Sequence, residues 1–420
     1  MTASKAILPM RDRGYVPIAD YALIGDTMTG ALIARDGALD WLCLPNFDDA
    51  SWFAALLDSE RGGRFFVGAP APDRIERSYI GDSAVLRSRI TSDDGVLEIT
   101  DLMPLTRQGA NRIEPARRVL RLVEAVEGTP RIAVSFSPRP GYGAHVPQLA
   151  RVGDRAWRVA DGRDWMLLQS GVPLELSGHA TLTGNETLQA GEKRQFCLSF
   201  CQGSPGIVPP LGAEAERDLE TTLSWWQSFV DQIDYDGPFR DALVRSVVTL
   251  RLMTFSMSGA VLAAATSSLP EAIGGQRNWD YRFCWLRDAS FILNAFVAVG
   301  CTKEGSAFLR WLLNATQLTS PRLNTFYTVF GRTDITQEKI KSLEGYRSSG
   351  PVHRGNAAQP QLQLDAYGSI IGAARTFVDH GGTLSTSEAR RLRGFADTAA
   401  REWSLPDDGL WEMPGPRCHN

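Results

Sequence analysis

The densest chemistry in the sequence lies between Ser267 and Phe296, SSLPEAIGGQRNWDYRFCWLRDASFILNAF. Arg277, Asp280, Arg282, Arg287 and Asp288 stand there among Trp279, Tyr281, Phe283 and Trp285. A buried charge needs a partner, so five charges among four aromatics make poor core material. They suit a sugar pocket, where charged groups bond hydroxyls in bidentate fashion and flat rings supply the walls. Arg287 and Asp288 fall at the start of a helical run, where an aspartate also has the residue type of a helix cap.

The elements that position this segment change type along the chain. From Ile18 to Cys201 the pattern is β: AVLRSRI (84–90), VLEITDLMP (96–104), RVLRLVEAV (118–126), RIAVSFSP (131–138) and RQFCLSF (194–200) alternate apolar and polar residues with period two between turn signals. Such runs predict antiparallel sheets packed as a sandwich. Within this region SWFAALLD, from Ser51, reads as one or two helical turns started by Asp48 and Asp49. Past Pro210 the period becomes helical. Residues 211–233 predict a linker helix with Leu219, Leu223, Trp226 and Val230 on one face. Five further helices are expected over 239–257, 288–299, 303–316, 361–379 and 387–403.

Composition narrows the partners. The 420 residues are 43% hydrophobic and 22% charged with a net charge of −4, so no basic field exists to hold nucleic acid. No stretch reaches the roughly 18 apolar residues of a membrane helix, and the N-terminus lacks the apolar core of a signal peptide; a cytoplasmic protein with no membrane or nucleic-acid partner is expected. Eleven tryptophans fit a carbohydrate enzyme, although most of them are expected to fill the core. The six cysteines form no C-x-x-C pair and the five histidines are scattered, so buried reduced thiols, no metal site and no cofactor are expected.

RNWDYRFCWLRDA (277–289) resembles the signature segment of glycoside hydrolase family 15, which includes glucoamylases, glucodextranases and bacterial trehalases. IADYALIGDTMTGALIARDGALDWLCLPNFD (18–48) is similar to the N-terminal sandwich of the trehalase-like branch. LEGYRSSGPVHRGNAAQPQLQLDAYG (343–368) resembles a loop-to-helix segment of the same family. The resemblance implies a multidomain α and β architecture: an N-terminal β-sandwich (1–208), a linker helix (209–236) and an (α/α)6 catalytic barrel begun at 237 and incomplete at 420. It implies exo-acting, inverting release of glucose from a small carbohydrate, by one protonated and one ionised carboxylate about 6.5–9.5 Å apart. Arg287 and Asp288 would bind the terminal glucose, with Tyr281 and Trp285 shaping the pocket. The general acid of the family lies in a W-E motif, which makes Glu412 in DDGLWEM (407–413) the candidate, with Leu410 and Trp411 beside the sugar.

The sequence departs from the family pattern at its end, where MPGPRCHN follows Glu412. A truncation or frameshift near Glu412 is the expectation, with the general base absent from the 420 residues and no useful α-glucoside hydrolysis by this chain alone. Unpartnered helix faces would then favour aggregation or a homo-oligomer. Ala265 stands where the pattern has proline. Two other functions stay open: a disaccharide phosphorylase of related architecture, and a non-catalytic carbohydrate-binding remnant.

Overall fold

The computed structural model describes residues 11–108, 112–203, 211–409 and 416–419. The chain forms two compact units. The first comprises Met1–Trp226, Leu269–Arg277 and Ile340–Val352; the second comprises Gln227–Ser268, Asn278–Lys339 and His353–Asn420.

The first unit is built on two antiparallel eight-stranded sheets. One runs, in spatial order, Tyr21–Gly25, Gly30–Ala34, Ala38–Cys43, Arg64–Gly68, Arg131–Ser137, Thr181–Thr187 and Glu175–Ser177, with Ser51–Phe53 paired to Ala38–Cys43. The other runs Gln148–Gly153, Ala156–Asp161, Asp164–Gln169, Lys193–Gln202, Arg118–Gly128, Gly95–Leu102, Leu86–Ser92 and Arg74–Tyr79. Period-two alternation gives each sheet one apolar face. Ile33, Phe65, Val67, Val134 and Phe136 of the first share a single core with Ile90, Leu97, Ile99, Val123 and Phe196 of the second.

A buried ion pair on one sheet reaches across this core. Arg121 and Asp101 stand directly opposite on neighbouring strands and are both fully buried. Arg121 Nε donates to Asp101 Oδ1 at 2.7 Å, and its two terminal nitrogens reach the carbonyls of Phe65 (3.0 Å) and Gly37 (2.6 Å) on the facing sheet. One guanidinium thus joins both layers, and its charge is matched where it is buried.

The helical expectation for SWFAALLD fails. Ser51–Phe53 is a strand, and turns follow it. Trp52 and Phe53 are drawn into the sandwich core. The amides of Ala54 and Ala55 donate to Gly62 and Gly63, and that of Leu56 to Asp40, so only an isolated turn closed on Ala54 O by Leu57 and Asp58 remains of the helical pattern. Asp49 bonds Asn46 instead of opening a helix. Tertiary burial outweighs local spacing here.

Helix α1, Ala213–Val230, is the expected helix after Pro210. Leu219 and Leu223 pack against Val85, Leu102 and Leu120, and a 2.8 Å ion pair joins Arg118 to Asp218. In the second unit follow α2 (Arg240–Leu252), α3 (Ala289–Ala298), α4 (Thr302–Ala315), α5 (Asp365–Asp379) and α6 (Thr386–Glu402). Helix α2 stops five residues short of the expected Met257, because the chain turns back at Gly259 (φ +83°). Phe255 N then bonds Ala260 O, and Leu262 N bonds Met253 O. Helices α3 and α5 run parallel: Gly372 lies against Ser290, and one turn on Thr376 Oγ1 bonds Asn294 Oδ1 at 2.6 Å. A capping box of Ser385 and Glu388 starts α6. Cys43, Cys197, Cys284 and Cys301 are buried, Cys201 is half-buried and Cys418 is exposed.

Arg121→Ala would leave the Asp101 carboxylate buried and uncompensated. It is expected to destabilise the first unit by about 3–5 kcal/mol in urea titrations of the full chain; an unchanged midpoint would contradict the role given to the pair.

Candidate functional site

The five charges of the 277–288 segment separate into three environments. Arg277 is exposed and faces Glu271 at 3.5 Å. Asp280 and Arg282 are fully buried and bonded in a fork, Nε to Oδ1 at 2.8 Å and Nη2 to Oδ2 at 2.7 Å. Arg287 and Asp288 alone keep partial exposure, 22% and 37% of their side chains, with 3.5 Å between Arg287 Nε and Asp288 Oδ1. The view of all five as poor core material is therefore corrected for Asp280 and Arg282, which are core and are paired there.

The surroundings of the buried pair are polar. Asp280 Oδ2 also accepts from Gly355 N at 3.0 Å, and Asn356 Nδ2 donates to the Asp280 carbonyl at 3.3 Å. The hydroxyls of Ser267 and Ser268 bond the His353 carbonyl, and His353 Nδ1 lies 2.8 Å from Asn278 O. The Trp279 ring stacks on His353 at 5.8 Å.

Beyond Arg282 the segment is carried by short irregular pairings. Ala264 N and Ala263 N bond the carbonyls of Tyr281 and Phe283. Cys284–Trp285 pairs antiparallel with Phe326–Tyr327, and Leu286 N bonds Thr325 O. Trp285 is 2% exposed and stacks on Phe326 at 4.4 Å, with Tyr281 at 4.9 Å on another side. Trp285 is therefore a core residue beside Tyr281, which keeps part of its surface. Asp288 is the N-cap residue of α3 by position, but its side chain makes no capping hydrogen bond.

An aspartate that sequence reasoning did not single out, Asp365, is coupled to Arg287, and Asp407 is coupled to Asp365 in turn. The Asp365 carboxyl, at the first turn of α5, is raised by desolvation, drawn back down by Arg287 and pushed up by Asp407. Its signal was present in the Q-L-D-A-Y-G run, where Asp365 is the only acid. Asp407 Oδ2 accepts from Leu364 N (2.9 Å), and Asp408 Oδ2 accepts from Leu362 N (2.7 Å) and Arg417 Nε (3.0 Å). Asp407 exchanges both main-chain bonds with Cys418. These bonds take the amides of Leu362 and Leu364 out of any helix begun at 361, and α5 starts at Asp365. They also fix residues 407–409 beside the lead into α5. Leu410, Trp411 and Glu412, the candidates next along the chain, lie outside the described residues. No group of three or more His, Cys, Asp or Glu fit to hold a metal occurs among the described residues, and no helix there is long and apolar enough to cross a membrane.

The class of this protein, a sandwich followed by helices, comes from sequence comparison. The profile of glycosyl hydrolases family 15 matches residues 237–419, and that of the trehalase-like N-terminal domain matches 10–225. The chain belongs to glycoside hydrolase family 15, in its trehalase-like branch. It is 31% identical over 410 residues to Trehalase 1 of Sulfolobus acidocaldarius, covering 94% of this chain and 67% of that protein. Identity is 29% to the trehalase of Thermoplasma volcanium (95% of this chain, 63% of that protein) and 29% to the trehalase of Mycobacterium tuberculosis (98% and 63%). The chain thus spans less than two thirds of the length of these last two relatives. Among solved structures, a putative kojibiose phosphorylase from the human microbiome aligns over 85% of this chain and 53% of its own, at 8% identity and a TM-score of 0.42.

Because Asp288 forms no cap bond, Asp288→Ala is expected to change the unfolding free energy by at most about 0.5 kcal/mol, where loss of a capping aspartate costs about 1 kcal/mol. Trp285→Ala, which empties a stacked core position, is expected to cost about 3–5 kcal/mol. Urea titration distinguishes the two; an Asp288→Ala loss above 1 kcal/mol would return that side chain to a structural role.

Proposed function

We propose that the chain is a glycoside hydrolase that acts on trehalose, and that Arg287 and Asp288 hold the hydroxyls of one terminal glucose. The carrying observation is the separation of charges in the 277–288 segment. Asp280 and Arg282 neutralise each other in the core, whereas the adjacent Arg287 and Asp288 stay partly exposed and spend no bond on capping α3. A planar fork beside a carboxylate suits vicinal hydroxyls, with donors on one side and acceptors on the other. Tyr281 supplies an apolar wall backed by Trp285.

In this reading the second unit is the start of an (α/α)6 barrel. Glu412, with Leu410 and Trp411 beside the sugar, is the general acid. Its carboxyl gives a proton to the glycosidic oxygen as that bond breaks. Inversion also needs a second carboxylate on the opposite face of the ring to deprotonate the attacking water as the new C–O bond forms, and no residue of these 420 is put forward for that role. The reaction is exo-acting, one glucose at a time from a non-reducing end. Support for trehalose over α-glucans comes from the relatives, which carry the name trehalase and match over most of this chain.

Titration calorimetry with trehalose, maltose and glucose tests the site. Trehalose is expected to bind, and Arg287→Ala and Asp288→Ala are each expected to weaken it about tenfold or more, since hydrogen bonds to charged groups contribute about 1.5–3 kcal/mol. Unchanged affinity in both variants, or no sugar bound by the parent protein, would overturn the assignment. Where glucose release is followed by NMR, inversion requires α- and β-glucose to appear initially in equal amounts from trehalose; α-glucose alone would exclude it.

A further inference from the structure

We propose that the buried Asp280–Arg282 pair is the positioning device of the sugar site, setting where Arg287 and Asp288 stand. The inference rests on the proposed function for what is being positioned, and on geometry for how.

Asp280 is a hub between two segments that lie 75 residues apart. Its Oδ1 accepts from Arg282 N (3.2 Å) and Nε (2.8 Å), and its Oδ2 from Arg282 Nη2 (2.7 Å) and Gly355 N (3.0 Å). Its carbonyl accepts from Asn356 Nδ2. Gly355 has φ +75°, and a Cβ there would lie 2.2 Å from Thr336 O, so the close approach of this loop requires glycine.

From this hub two routes reach Arg287. One runs along the chain, through the Trp285–Phe326 stack to Leu286. The other leaves Gly355, passes to Gln359, whose carbonyl accepts from Thr325 N (3.2 Å), and returns through Thr325 O to Leu286 N (3.1 Å). The routes close a circuit whose last member is bonded one residue before Arg287. The second route also continues to Leu362 and Leu364, which hold Asp408 and Asp407. A fully buried ion pair adds little stability over a well-packed apolar pair, but its fixed directions specify one arrangement of the groups around it. In this circuit the specified arrangement is that of the binding residues.

The experiment compares two uncharged double replacements in the full chain. Asp280→Asn with Arg282→Met keeps an acceptor for Gly355 N; Asp280→Leu with Arg282→Met removes it. Both are read by thermal melting, by amide exchange of peptides covering 284–289 and 353–360, and by trehalose titration. The leucine variant is expected to melt as one cooperative unit, to exchange faster in both peptides, and to bind trehalose about tenfold more weakly or worse than the asparagine variant. If it binds trehalose as tightly as the parent and exchanges no faster, the pair is only structural and the inference falls. Should the leucine variant not fold, Asn356→Ala reads the same tether and is expected to give the same two changes; no change in either overturns the inference. A parent protein that binds no sugar sinks the proposed function, and the exchange arm then still decides whether Asp280 anchors 284–289.

Discussion

A charge taken out of water must meet an opposite charge and fill its remaining hydrogen-bonding positions, and both units of this protein are organised by that demand. In the sandwich, Arg121 answers Asp101 and spends its other nitrogens on carbonyls of the facing sheet. In the helical unit, Arg282 answers Asp280, whose second oxygen takes an amide from a distant loop. Each pair ties together chain segments that no regular ladder joins. The segments around the candidate site are two- and three-residue pairings that would be weak alone, and the paired charges give them a common reference point.

The regular elements were legible because burial imprints itself on sequence with a period. Strands such as Arg131–Ser137 and helices such as α4 and α6 follow their apolar spacing closely. Legibility failed where distant partners decide. Ser51–Asp58 has helical spacing, yet the core beneath it and the amide partners at Gly62 and Gly63 make it a strand and turns. The site shows the same limit in sharper form. Asp280, Arg282, Arg287 and Asp288 are the same residue types within nine positions, and nothing local distinguishes a core clamp from a binding pair. The distinction comes from Gly355, which bonds Asp280, and from the missing cap bond at Asp288. Asp365 escaped notice for a related reason: a single acid at a helix start reads as dipole compensation until Arg287 is found coupled to it.

Family membership and geometry bear on different parts of the functional reading. Membership in glycoside hydrolase family 15 supplies the reaction class. The structure contributes the electrostatics of one corner. Arg287 is flanked by Asp288 and Asp365, with Asp407 and Asp408 holding the start of the segment that leads to Glu412. The parallel course of α3 and α5 brings two helix N-termini to the same end as these residues. A polar ligand rich in hydroxyls can exchange with water there, whereas an apolar one would leave the carboxylates unsolvated.

The central claim is that one pyranose ring is held by Arg287 and Asp288 with the Glu412 carboxyl at its glycosidic oxygen. A crystal structure of the protein with trehalose bound reads this directly. The account predicts both side chains within hydrogen-bond distance of hydroxyls on a single glucose, and Glu412 within the same distance of the bridging oxygen. Trehalose seated elsewhere, or Asp288 and Glu412 opening onto different surfaces, would contradict it.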